Sequence, residues 1–155
     1  MKILMVCLGN ICRSPMAEGI MREKIKKYKL SAEVDSAGFE AFHTDDAPDS
    51  RAIKIMKKHG IDISAQRSRL FRKTDFELFD RIFVMDSGNY NDVKSMAQKP
   101  GQMGKVDYIL NVLYPGSNKA VPDPYYGGDD GFEKVFQLLD SATEQIANQL
   151  KNGEN

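Results

Sequence analysis

Val6-Cys7-Leu8-Gly9-Asn10-Ile11-Cys12-Arg13-Ser14-Pro15 is the stretch from which the rest of the chain is read. Before it, Lys2-Ile3-Leu4-Met5-Val6 is a short apolar run after one lysine, which suits a central strand buried on both faces. After it, Ala17, Met21, Ile25 and Tyr28 recur at helical spacing, with Ile20 beside them and Lys, Arg and Glu on the other face. A helix is therefore expected from Pro15 to near Leu30, and the quoted stretch is a strand-to-helix turn. Ser14 suits the N-cap, and Pro15 suits the first helical position, where its missing N–H is not needed. Such a turn aims backbone N–H groups at one spot, and the helix N-terminus adds positive potential there, so an anion is the natural guest. A cysteine at the edge of that spot loses its proton easily and becomes a nucleophile.

Working outward, Ala32 to Ser36 reads as a second strand ended by Ala37-Gly38, and Phe39 to Asp49 as a loop. A second helix is expected from about Asp49 to His59, with Ile53 and Met56 on one face and Gly60 as the residue that ends it. Ile61 to Phe71 is irregular and basic. A short helix is expected around Thr74 to Leu78, a third strand at Arg81 to Met85, a helix from Ser87 to about Gln98, and a fourth strand at Gly104 to Leu110. Asn111 to Gly131 is a long loop rich in Pro and Gly, and a loop of that length is usually functional. The last helix opens near Asp130 with Phe132, Val135, Phe136, Leu139, Ala142, Ile146 and Leu150 as a wide apolar stripe. Strands alternating with helices predict an α/β fold of three layers: a four-stranded parallel sheet, helices on both faces, and a phosphate-binding loop after strand 1. Cys7 then falls at the carboxyl end of a strand, where such folds place their sites.

The chain has 155 residues, so one domain over 1–155 is expected. Lys+Arg and Asp+Glu both number 22, which argues against a dedicated nucleic-acid binder. The charge is uneven: eight Lys/Arg and one Asp lie between Arg51 and Lys73, and seven Asp/Glu with two Lys lie between Pro122 and Asn155. Solvated helix faces explain this, as does a basic rim that attracts anionic substrates. The only cysteines are Cys7 and Cys12, so no framework of disulfides exists and a reducing, cytoplasmic setting is expected. The apolar run before Gly9 is too short for a signal peptide or a membrane span. His43 and His59 are isolated, so metal binding is not expected, nor is any cofactor; no nucleotide-binding glycine motif is found. The eight Met read as core filling.

Cys7 to Arg13 reads C-x5-R, and Val-Cys-Leu-Gly-Asn-Ile-Cys-Arg-Ser-Pro closely resembles the phosphate-binding wording of the low-molecular-weight protein tyrosine phosphatases. Asp123-Pro124-Tyr125-Tyr126-Gly127 resembles the same family's general-acid loop. The resemblance spans almost the whole chain. It implies a metal-independent phosphatase that hydrolyses phosphotyrosine or other aryl phosphates through a phosphocysteine intermediate, with tyrosine-phosphorylated proteins as substrates and a tyrosine kinase as a further partner.

The residues fit that chemistry. Phosphate-monoester hydrolysis is extremely slow unaided and needs a nucleophile, charge neutralisation and a proton for the leaving oxygen. Cys7 is the candidate nucleophile. Amides from Leu8, Gly9, Asn10, Ile11, Cys12 and Arg13 could surround the phosphate, and Arg13 adds a bidentate fork that lysine could not reproduce. Gly9 and Asn10 tolerate the positive φ that a rigid loop needs. Ser14 could cap the helix, hydrogen-bond the Cys7 sulfur, or do both. Asp123 is the candidate general acid, its protonated form favoured by the like charge of thiolate and phosphate, and Pro122 and Pro124 stiffen its backbone. A bell-shaped pH profile follows from Cys7 ionised and Asp123 protonated.

By the family analogy, Tyr125 and Tyr126 wall in an aromatic ring and form a depth filter that excludes phosphoserine. Both could also be kinase targets. Phe42 falls where many relatives carry an aromatic on the opposite wall, often tryptophan, which this chain lacks altogether. Gln66 falls where many relatives carry a histidine that supports the Asn10 region, and Gln66 can still donate and accept. Asp86 matches a family aspartate near the site and is read as support rather than acid. Cys12 could form a reversible disulfide with Cys7, or be a small buried apolar residue. Two other readings compete: an arsenate reductase of the same fold, which needs relay cysteines this chain lacks after Cys12, and a phosphoprotein-binding module without turnover.

Overall fold

β1, Lys2–Val6, is the axis of the sheet. In this computed structural model, which describes residues 1–153 without the side chains of Tyr126 and Asp129, it pairs in parallel with both β2 (Glu33–Ala37) and β3 (Arg81–Val84). β4 (Val106–Tyr108) joins β3 in parallel, so the order is β2-β1-β3-β4. The helices are α1 (Arg13–Lys27), α2 (Ser50–Lys58), α3 (Asp75–Leu78), α4 (Ser87–Met96) and α5 (Asp129–Lys151).

Strand alternation explains the layers. Ile3 and Met5 of β1 and Phe83 of β3 enter one buried cluster, with Met16, Ile20 and Met21 of α1 and the apolar stripe of α5. Leu4, Val6, Ile82 and Val84 point the other way, onto Phe71, Phe76 of α3 and Val93 of α4. The predicted stripe of α5 is buried from Phe132 to Ile146, so truncating Leu139 to Ala would cost about 2–5 kcal/mol. α2 begins at the Asp49 N-cap, whose carboxylate accepts from Arg51 N, and Gly60 follows its end with φ 82°.

The chain leaves β1 toward β2 on one side and returns as β3 on the other. The turn after β1 therefore opens at the point where the strand order reverses, which is where crevices form in such sheets.

Three expectations are corrected. The fourth strand covers Val106–Tyr108 rather than Gly104 to Leu110. It has β3 as its one partner, and 3-10 turns at Gln102–Lys105 and Ile109–Val112 flank it, the latter carrying Ile109 and Leu110 into the core. The long loop after it contains a further 3-10 turn, Pro124–Tyr126, whose first turn Asp123 caps through a bond from Tyr125 N to Oδ1 at 3.0 Å. Ser14 is not the N-cap of α1. Cys12 holds that place and Ser14 lies inside the helix, because its hydroxyl turns back to the loop. Pro15 is thus the third helical residue, still within the turn whose N–H groups lack helical partners.

Candidate active site

The loop from Cys7 to Cys12 is held from behind by the side chains of Asn10 and Ser14. Asn10 is buried with φ 55°, a left-handed conformation that asparagine accepts more readily than most residues. Its Nδ2 donates to Ser14 Oγ (2.7 Å) and Ser36 Oγ (2.9 Å), and its Oδ1 accepts from Arg69 N (3.0 Å). Ser14 Oγ already accepts from Asn10, so its own proton is free to point at Cys7 Sγ, 3.0 Å away. Ser14 N also lies 3.4 Å from that sulfur. The network runs on: Ser36 Oγ donates to buried Glu18 at 2.5 Å, and Glu18 pairs with Arg22.

The backbone is equally tight. Phe39 N donates to Leu8 O (2.7 Å) and Asp49 N to Ile11 O (2.8 Å). Gly38 passes so close beneath the loop that a Cβ there would lie 2.8 Å from Asn10 Cβ and 2.9 Å from Leu8 O. The glycine that reads as a strand ending is therefore required by this close approach.

Arg13 is buried at the loop's far end. Its Nη1 donates to Asp86 Oδ2 (2.7 Å) and Val121 O (2.9 Å), and its Nη2 lies 3.5 Å from Asp123 Oδ2. Burial by itself would lower its pKa, but the charge on Cys7 and the bond and charge of Asp86 outweigh that and raise it. With Nη1 spoken for, the Nε–Nη2 edge forms no hydrogen bond among the described residues, and a planar fork can meet two phosphate oxygens there. Val121 also donates its N–H to Met85 O (2.8 Å), so this one residue ties the Asp123 loop to the end of β3 and to Arg13.

Cys7, Leu8, Gly9, Ile11, Cys12, Arg13, Phe42, Asp123 and Tyr125, all expected at the site, line one cavity of about 150 Å³. The two cysteines are both free and buried but differ in setting. Cys12 has its pKa pushed far up, first by burial and then by the like charges of Asp49, Cys7 and Asp123, so it stays a neutral thiol. Cys7 instead has the hydroxyl and amide of Ser14 directed at it.

Some predicted roles are corrected and others hold. Asn10 and Ser14, expected among the phosphate-binding residues, do not line the cavity; their side chains brace the loop from behind, and the expected contact of the Ser14 hydroxyl with the Cys7 sulfur is present. Gly9 does not take a positive φ, and its lack of a side chain makes room for Glu40 and His43, which stand 3.1 and 3.3 Å from where its Cβ would be. Gln66 does not reach Asn10. Its amide donates to Pro15 O (3.2 Å) and accepts from Arg22 Nη1 (3.3 Å), bracing α1 instead, and Arg69 N serves the Asn10 carbonyl. Asp86 holds Arg13. The Tyr126 side chain lies outside the described residues. His59, read as a helix-end residue, does sit at the end of α2, where its ring bonds Glu133 (2.9 Å) and stacks on Phe136. Glu40 and His43 line the cavity without having been expected there, since their loop carries no periodic pattern that would mark them.

The cavity can take a tetrahedral anion at a thiol, neutralise it with a guanidinium, and present a carboxyl from above. A sequence model described as low molecular weight phosphotyrosine protein phosphatase matches residues 2–155. The Schizosaccharomyces pombe protein of that description is 42% identical over 143 residues, 90% of either chain. The human protein of that description is 37% identical over 137 residues, 87% of this chain and 86% of its own. Among solved structures, a protein tyrosine phosphatase from Entamoeba histolytica, with Hepes in its active site, superposes with a TM-score of 0.91 at 37% identity, covering 99% of this chain and 98% of that one. This chain belongs to the low molecular weight phosphotyrosine protein phosphatase family.

Proposed function

We propose that residues 1–155 act as one catalytic domain that hydrolyses phosphotyrosine on proteins, with Cys7 as nucleophile, Arg13 and the loop amides as the phosphate cradle, and Asp123 as general acid. One observation carries this assignment of roles: Cys7 and Arg13 of one loop and Asp123, from far along the sequence, share one cavity, with Ser14 Oγ 3.0 Å from the Cys7 sulfur.

The steps follow from the geometry. The Cys7 thiolate attacks phosphorus as the P–O bond to the aryl group breaks, and Asp123 delivers its proton to the departing phenolate oxygen. Incoming phosphate competes with Asp123 for Arg13 Nη2, separating an ion pair that is already long at 3.5 Å. Water then attacks the phosphocysteine. Its proton passes to Asp123, the P–S bond breaks, and Ser14 Oγ–H stabilises the returning thiolate. The loop is fixed by Asn10 and Gly38 before substrate arrives, so its donors need little reorganisation in the transition state.

Leu8, Phe42 and Tyr125 present exposed apolar surface around the cavity mouth, which suits an aryl ring. Such a reaction consumes what a tyrosine kinase produces, so a kinase is the complementary partner. Two free cysteines support a reducing, cytoplasmic setting, and no helix among the described residues is long and apolar enough to cross a membrane.

The test is hydrolysis of an aryl phosphate with EDTA and a reductant present. Metal-independent turnover is expected, abolished in Cys7→Ser and slowed in Asp123→Asn, whose alkaline limb of the pH profile is also lost. Ordinary turnover by Cys7→Ser would sink the covalent route.

A further inference from the structure

Three of the carboxylates around this cavity have a cationic partner: Asp86 and Asp123 face Arg13, and Asp49 faces Arg51. A fourth, Asp46, meets the His43 ring at 3.0 Å. Glu40 differs. Its half-buried side chain lines the cavity, and its Oε1 stands 3.1 Å from the Cβ position of Gly9 in the phosphate loop. Its carboxylate forms no hydrogen bond or ion pair among the described residues, and only its backbone carbonyl is engaged, by His43 N at 3.2 Å. A bare carboxylate beside a pocket built for a dianion repels that dianion unless something positive comes with it.

We propose that Glu40 is a specificity residue that receives the ammonium or guanidinium of a lysine or arginine flanking the phosphorylated tyrosine. The proposal rests on the phosphotyrosine reading above. A peptide entering with its ring between Phe42 and Tyr125 runs its backbone across the cavity mouth, and Glu40 is on the Phe42 side of that mouth. The opposite side already carries a cation, since the Arg51 guanidinium lies 5.3 Å from the Tyr125 ring centroid. Arg51 is itself paired with Asp49, so a flanking basic residue finds an open carboxylate on the Glu40 side and a closed ion pair on the other, which sets direction as well as preference.

The experiment uses phosphotyrosyl peptides with alanine flanks in which one arginine is walked over the two positions on each side of the tyrosine. In the wild type, kcat/KM rises about three- to fivefold for arginine at one of these positions, the size of a half-exposed ion pair. Glu40→Gln brings that ratio to near one, and Glu40→Lys reverses it in favour of glutamate at the same position. Raising salt to about 0.5 M flattens the wild-type preference. A reversal by Glu40→Lys separates a charge contact from a structural role, which would change all peptides alike. Kd ratios for the same peptides in the Cys7→Ser form, with and without Glu40→Gln, read the preference without turnover. Loss of catalysis and loss of charge preference are therefore separate results. Equal ratios in wild type and Glu40→Gln at every position would overturn the proposal.

Discussion

The loop behind Cys7 and the walls in front of it are built on opposite terms. Cys7, Asn10, Arg13 and Ser14 are all at most 3% exposed, and each has a polar atom tied to a neighbour on another element. Phe42 on one wall is 74% exposed and Tyr125 on the other 43%. The loop draws on the core for its rigidity, because α1, β2 and the 66–70 segment all contribute partners. The walls sit on two connections outside the sheet and answer mainly to what enters the cleft. The difference teaches where each property would reside on the proposed roles: nucleophile and phosphate cradle on buried positions, partner choice on surface that can change without disturbing the fold.

This contrast can be broken most severely at Cys7. Cys7→Ser should lower turnover by at least about 10⁴-fold while leaving the melting temperature within a few degrees, checked by steady-state hydrolysis and thermal unfolding. Asp123→Asn comes next. It should slow hydrolysis of phenyl phosphate by about 10²–10³-fold, and that of a substrate with a more acidic leaving group by clearly less, since less proton is then needed.

Asn10→Ala tests the buried side of the comparison. It removes three hydrogen bonds and leaves a less permissive residue at φ 55°. A loss of about 2–4 kcal/mol in denaturant unfolding is expected, together with a tenfold to hundredfold fall in kcat. Phe42→Ala tests the exposed side. It should raise KM for aryl phosphates about two- to tenfold, from a ring contact worth about 0.5–1.5 kcal/mol, without a measurable loss of stability. If Phe42→Ala proved as destabilising as Asn10→Ala, the division between loop and wall would fail.

The smallest effect is at Asp49, on the border between the two regions. Burial would raise its pKa, but the hydrogen bonds and charge of Arg51 prevail and hold it below the ordinary carboxylate range. A folded-state value below the unfolded one means stability that is full above about pH 4 and lost as pH falls through the folded value. Asp49→Asn keeps the helix cap and removes the charge. Its melting temperature should trail the wild type by a few degrees at neutral pH, and the gap should close in the acid range.

Much of this was readable one residue at a time. The apolar run at 2–6, the stripe of α5 and the glycine after α2 each announce themselves through local periodicity or backbone need, which are properties of neighbouring residues. The C-x5-R stretch and the Asp-Pro-Tyr-Tyr wording marked the main catalytic candidates through their resemblance to a known family rather than through local pattern alone. What could not be read in this way depends on contacts distant in sequence. Gly38 looks like a strand terminator until Asn10 is seen packed against it. Gln66 reads as a partner for the loop but reaches α1 instead, because the 63–70 segment follows its own course over the helix. For Ser14 the sequence leaves two roles open, N-cap and partner of the Cys7 sulfur, and only the fold decides between them, in favour of the sulfur.

By itself, then, the sequence determined the alternation of strands and helices, the turn that gathers amides at Cys7, and the residue types that can attack, cradle and protonate. Local hydrophobic pattern and covalent spacing suffice for those. Tertiary structure alone decided that Val121 ties the Asp123 loop to Arg13, that Asn10 and Ser14 work from behind the phosphate loop, and that the Glu40 carboxylate faces the cavity with no partner among the described residues. These are outcomes of chain segments meeting across the carboxyl end of the sheet. The meeting is driven by burial of the two apolar clusters, which is non-directional and leaves no mark in the sequence of the loops it brings together.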